Sequence, residues 1–179
     1  FVPGRWPEKK AVRLDMGRLE GPEVPVQDRH FTASCWFRAN GPGVHRGNSD
    51  GTNGTILSVG IGYWDGWRVA LWYPQMRMSF EIGRPQPGSA FGIGSEPFMD
   101  HVWNHLAATW DGQQVRLYLN GLLLARGDYD GAYTPPPAQK VFRIGFAGSG
   151  IGSAILDVDV VVIRNRALSP VEVLEEVYF

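Results

Sequence analysis

Hydrophobic and polar residues alternate along most of the chain in short runs, separated by Gly, Pro, Asn and Asp. Over residues 31–37, Phe31, Ala33, Cys35 and Phe37 share one face, and Thr32, Ser34 and Trp36 share the other, because side chains alternate along a strand. The same period predicts strands over 11–14, 55–59, 67–73, 76–82 and 141–144. Strands over 105–110, 115–119 and 122–125 are separated by Asp111-Gly112 and Asn120-Gly121. These pairs tolerate the positive φ of tight turns, so the three strands form an antiparallel meander. In the last strand, over 155–163, Val158, Val160 and Val162 fall on one side and Val161 and Ile163 on the other. A strand apolar on both faces is usually central and covered twice. One short helix closes the chain, with Ser169 as N-cap, Pro170 at the first helical position and Glu172 completing a capping box.

Residues 1–10 read as an irregular arm, 17–25 and 84–97 as Gly/Pro-rich connections, and 40–54 as a long polar loop. About ten strands and one helix predict an all-β sandwich of two antiparallel sheets. The 179 residues suit one domain spanning 1–179. With 23 Gly and 13 Pro the chain is turn-rich, yet seven Trp set it apart from disordered sequence. A formal net charge of -1 with scattered basic residues gives nucleic-acid binding no electrostatic support. Cys35 is the only cysteine, so no internal disulfide forms, and no Cys/His zinc spacing is present. No apolar run reaches the length of a membrane span. A start at Phe1, without an initiator Met or a signal-peptide pattern, reads as a mature or excised piece of a larger protein.

Residues 103–112, WNHLAATWDG, followed by 115–121, VRLYLNG, resemble the hairpin signature of laminin G-like domains in the concanavalin A-like lectin/glucanase superfamily. Residues 166–173, RALSPVEV, resemble the closing motif of that family, and residues 31–37 resemble its early strand. The resemblance implies a jelly-roll sandwich with a concave and a convex sheet. In the related pentraxins a disulfide links the early strand to the hairpin strand. Cys35 falls near its first position and Ala107 at its second, so these two residues are expected as neighbours inside the sandwich. The pentraxin acidic calcium cluster is missing, since residues 145–153 hold no carboxylate. Phosphocholine binding is therefore not carried over. Related domains often hold a structural calcium; the resemblance implies ligands from Asp159 and from the carbonyls around Asp15 to Gly17. The alternative is that Asp157 and Asp159 simply end a strand.

Glycosidases on this fold need two carboxylates about 5–9.5 Å apart. Asp157 and Asp159 form the only comparable pair, without a third acidic partner. Glu172, Glu175 and Glu176 read as a solvated helix face, and His105 as a structural residue. His30, His45 and His101 have no ligand spacing. The aromatic cluster Tyr63, Trp64 and Trp67 carries the binding expectation, with Asp65 and Arg68 as charged hydrogen-bonding groups and Gly62 and Gly66 allowing close backbone approach. Trp67 also alternates with Val69 and Leu71 as a core residue would. Asn48, Asp50 and Asn53 of the neighbouring loop add groups suited to sugar hydroxyls. Val160 and Val162 leave the face of the last strand apolar, as if covered by another segment or a partner. The chain is expected to be a non-catalytic module of a secreted, surface or periplasmic protein that binds a glycan or another protein. The rivals are a structural appendage on a catalytic domain and a glycoside hydrolase or polysaccharide lyase.

Overall fold

The computed structural model describes residues 1–15, 17–23, 30–42, 53–62, 65–73, 75–84, 90–94, 97–131, 141–145 and 154–178. In chain order the strands are β1 (Val2–Pro3), β2 (Lys10–Asp15), β3 (Leu19–Glu23), β4 (Phe31–Pro42), β5 (Asn53–Gly62), β6 (Asp65–Trp72) and β7 (Arg77–Gly83). They continue with β8 (Ala90–Gly94), β9 (Asn104–Trp110), β10 (Gln114–Leu119), β11 (Leu122–Asp128), β12 (Val141–Ile144) and β13 (Ala154–Arg164), followed by the helix α1 (Pro170–Tyr178). They build two antiparallel sheets in a jelly-roll sandwich: seven strands in the order β1-β2-β13-β4-β9-β10-β11, and six in the order β3-β12-β5-β6-β7-β8.

Alternation drives the assembly. Phe31 and Trp110 point inward from the seven-stranded sheet, and Trp67 and Phe80 from the other. Phe31 stacks on Trp67 at 5.1 Å and meets Phe80 and Trp110 edge-on at 6.0 and 6.3 Å. Burial of such rings is the largest favourable contribution available to a sandwich of this size. The meander forms as expected. Asn120 and Gly121 adopt φ of 51° and 81° in its two-residue turn, and the Asn120 side chain accepts the His105 N–H at 2.8 Å.

Three strands lie where the sequence pattern reads arm or connection: β1, β3 (LEGPE) and β8 (AFGIG). All three are sheet edges. Edge strands tolerate the Gly and Pro that an interior strand excludes, which erases their alternation. The arm is a small hairpin, closed by Gly4 N–H to the Lys9 carbonyl at 2.8 Å. Strand ends also claim both margins of the 40–54 loop.

β13 is central in its sheet, between β2 and β4. Its expected alternation fails at a bulge between Asp159 and Val162. Val160 takes φ of 45° and is 46% exposed, while Val158, Val161 and Ile163 all pack toward the core. The extra residue inverts the facing of everything after it.

The expected neighbours Cys35 and Ala107 are one register step apart. Cys35 faces Leu106 and Ser34 faces Ala107. Cys35 therefore lies in the main core, while Ala107 points out of the sheet to pack with Tyr118, Leu168 and Val173 under α1. The capping box holds α1, with Ser169 N–H donating to the Glu172 carboxylate at 2.8 Å.

Candidate binding face

The outer face of the seven-stranded sheet is occupied by the protein itself. α1 covers Ala107 and Tyr118. The arm lays Trp6 edge-on to Trp36 at 6.4 Å. Beside it, Asp157 is fully buried and clasped by Arg13 and Arg38 at 2.7 Å each. Burial alone would raise its pKa, but the guanidinium hydrogen bonds hold it below the ordinary carboxylate value. Its oxygens are thus committed, and Asp157 does not form a catalytic pair with Asp159. Glu176 is not solvated as expected: it pairs with Arg164 and lies 3.6 Å from His105 Nε2. The His105 ring packs 5.2 Å from Trp36.

The residues expected to hold calcium are not brought together. Asp159 accepts the Val160 N–H at 2.9 Å and the Arg5 N–H at 3.4 Å. Asp15 lies opposite Ile155, four residues further along the strand, which is about 13 Å at ~3.3 Å per residue. Gly17 lies beyond Asp15. Among the described residues no group of three His, Cys, Asp or Glu is placed to hold a metal ion.

The outer face of the six-stranded sheet is different. Register places Glu20, Arg143, Ser58, Arg68 and Glu81 side by side across five neighbouring strands, with Gly92 at the end. Arg143 Nε reaches Glu20 at 3.1 Å, and Arg68 Nε reaches Glu81 at 2.8 Å. The next row is Thr55, Ala70, Ser79 and Gly94, and beyond it Asn53, Trp72 and Arg77 lie across β5, β6 and β7. The Trp72 indole N–H donates to Ser79 Oγ at 2.8 Å, and the Ser79 hydroxyl donates to Glu81 at 2.6 Å. A chain of hydrogen bonds thus fixes the half-buried Trp72 ring against the charged row. Next to it, outward positions 92 and 94 of β8 carry no side chain. A Cβ on Gly94 would meet nothing closer than the Met78 carbonyl oxygen at 3.9 Å. On β8 this face carries only hydrogen beside one oriented indole, while the charged row itself is buried, with Arg68 3%, Arg143 7% and Glu81 8% exposed.

The expected site residues divide among several places. Arg68 lies on this face, only 3% exposed and paired with Glu81. Trp67 is a correction: it is 5% exposed and stacked on Phe31, so it is core and not ligand-facing. Its inward direction follows from the outward direction of Arg68. Asn53 lies opposite Trp72, whereas Asp65 lies opposite Gly62 at the far end of the same hairpin. Gly66 is needed in that bend, since at φ 77° a Cβ would overlap the Val59 carbonyl oxygen. Tyr63, Trp64, Asn48 and Asp50 lie outside the described residues. Trp72, which follows the expected aromatic cluster in sequence, shares this face with Ser79 and Glu81, which the sequence reading did not single out. Their signal was the alternation of polar positions 72, 79 and 81 with apolar ones, opposite a strand with Gly at both outward positions.

A recess of about 500 Å³ opens at the far end of the meander, beside Asp111, Gln114, Arg116 and Asp128. Its charged groups already satisfy each other: Asp111 holds Arg116 at 2.7 Å, and Asp128 accepts from Gln114 at 2.9 Å.

The two packed antiparallel sheets define a jelly-roll β-sandwich domain, one outer face of which is covered by α1 and the arm. The sequence matches the family Laminin_G_3, of the concanavalin A-like lectin/glucanases superfamily, over residues 17–174, and the chain belongs to that family. No curated protein sequence matches it at a significant level. Among solved structures it is similar to the CBM40 domain of the Ruminococcus gnavus IT-sialidase bound to α2,3-sialyllactose. The TM-score is 0.63 with 15% identity, over 94% of this chain and 97% of that one. It is also similar to the binding domain of botulinum neurotoxin DC in complex with SialylT, with TM-score 0.62, 13% identity and 84% of this chain covered. The receptor-binding domain of botulinum neurotoxin type G gives TM-score 0.63, 15% identity and 94% coverage of this chain. The match spans 35% of the neurotoxin DC chain and 44% of the type G chain. Among the described residues no helix is long and apolar enough to cross a membrane.

Proposed function

We propose that this chain is a non-catalytic carbohydrate-binding module of a larger secreted or surface protein, and that it meets its glycan on the outer face of the six-stranded sheet. One observation carries this reading: the Trp72 indole is fixed through Ser79 to the Glu81–Arg68 pair, beside positions 92 and 94 that carry only hydrogen. The C–H face of a sugar ring stacks on an aromatic plane, and a plane fixed in advance loses little entropy on binding. The two glycines leave room for a ring to lie along β8. The neighbours' glycan ligands support the same reading at the level of a shared fold.

The test is a glycan array on the isolated domain, followed by titration calorimetry on the best ligand. Trp72→Ala should abolish binding while the melting curve stays cooperative. Gly94→Val should also abolish it, because the new side chain enters open space and blocks the face without disturbing the sheet. Undiminished affinity in both folded variants would remove the site from this face. A catalytic reading is tested separately: reducing-sugar release from mixed polysaccharides should stay at background.

A further inference from the structure

The groups on this face differ in what they have left to offer a ligand. Arg68 and Arg143 each hold a carboxylate, and Arg143 also donates to the Gly60 carbonyl at 2.6 Å. Both Glu81 oxygens are engaged, by Ser79 and by Arg68. Arg77 is different. It lies directly across from Trp72 on the same face and is exposed, and among the described residues no carboxylate, carbonyl or ring contacts its guanidinium. Directly opposed residues of an antiparallel pair hold their Cβ atoms about 4.5–5.5 Å apart. A saccharide stacked on the indole therefore has its edge within reach of a free, planar, two-pronged donor.

We infer that the face selects acidic saccharides over their neutral counterparts. Trp72 supplies the stacking plane, and Arg77 pairs with the ligand's carboxylate or sulfate. The inference rests on the proposed glycan-binding function of this face. A guanidinium with both prongs available matches the two oxygens of a carboxylate or a sulfate. The buried Arg68 and Arg143 serve as scaffold, since each already holds a carboxylate.

The experiment is an array of oligosaccharides in which each neutral member is matched by sialylated, uronic-acid-containing and sulfated forms, with calorimetry on the pairs that bind. An acidic form should bind at least about tenfold tighter than its neutral parent, with an advantage that shrinks as salt is raised. Arg77→Gln should erase that advantage by weakening the acidic form far more than its neutral parent, while Trp72→Ala abolishes both. The three acidic arms distinguish carboxylate from sulfate. Equal binding of neutral and acidic forms, or a preference untouched by Arg77→Gln, overturns the inference but leaves the glycan-binding function standing. Absence of binding to any member overturns both.

Discussion

The guanidinium carbon of Arg5 lies 3.6 Å from the centroid of the Trp36 ring. The same side chain donates to the Val177 carbonyl at 2.9 Å, near the C-terminal end of α1. One residue of the arm thus joins the arm, the middle of the seven-stranded sheet and the last helix. Burial lowers the Arg5 pKa, and Asp159 opposes that shift.

Arg5→Ala should therefore loosen both ends of the chain together. A cation–π contact with partial desolvation is worth about 1–2 kcal/mol, so the melting temperature should fall by roughly 3–8 °C in a domain of this size. Hydrogen exchange should rise in the last turn of α1 as well as in the arm. Arg5→Lys should restore only part of the loss, since an ammonium cannot lie flat on the ring.

His105 predicts a pH dependence. Burial, helped by Arg5 and Arg164, lowers its pKa from 6.5 to about 4. Between those two values the unfolded chain takes up a proton that the folded chain excludes. Stability should therefore decline as pH falls from about 6.5 to about 4, by up to roughly 3 kcal/mol. Urea titrations at pH 7 and pH 4.5 measure the slope, and His105→Gln should flatten it.

Asp157 works in the same direction at lower pH. Its depressed pKa contributes stability that is present above the unfolded value of 3.8 and is lost as pH falls through the folded value. Replacing it by Asn leaves Arg13 and Arg38 facing each other without a counter-charge. A loss of about 1–3 kcal/mol is expected, below that for a fully buried pair because water reaches both guanidinium groups. Denaturant unfolding of Asp157→Asn checks this, and the double variant with Arg38→Leu should recover part of the loss.

The Cys35 thiol is fully buried in the core, which raises its pKa well above the ordinary value. Thiol reagents should leave it unmodified in the native protein and titrate one thiol in denaturant. Modification rates at increasing urea should track global unfolding, because thiolate formation needs solvent.

The strands that carry the core were legible because burial on one face imposes a period of two, and the Asn120-Gly121 turn and the Ser169–Glu172 capping box announced themselves through local backbone chemistry. Each of those signals resides in a few consecutive residues. The edge strands β1, β3 and β8 had no such signal, since an edge needs no alternation. Nor could local pattern reveal the bulge that turns Val160 outward, or the one-residue register that sets Cys35 against Leu106 and not Ala107. The binding face shows the same limit most clearly. Arg68 was visible as a charged residue between apolar ones, but its commitment to Glu81, 13 residues away, was not. Asn53, Trp72 and Arg77 become one row only when β5, β6 and β7 pair. Sequence alone determined which residues face outward in the regular core strands, because alternation is a property of each strand; the bulge in β13 is where that failed. Tertiary structure decided which outward residues meet, because register across strands depends on the whole sheet closing over one core.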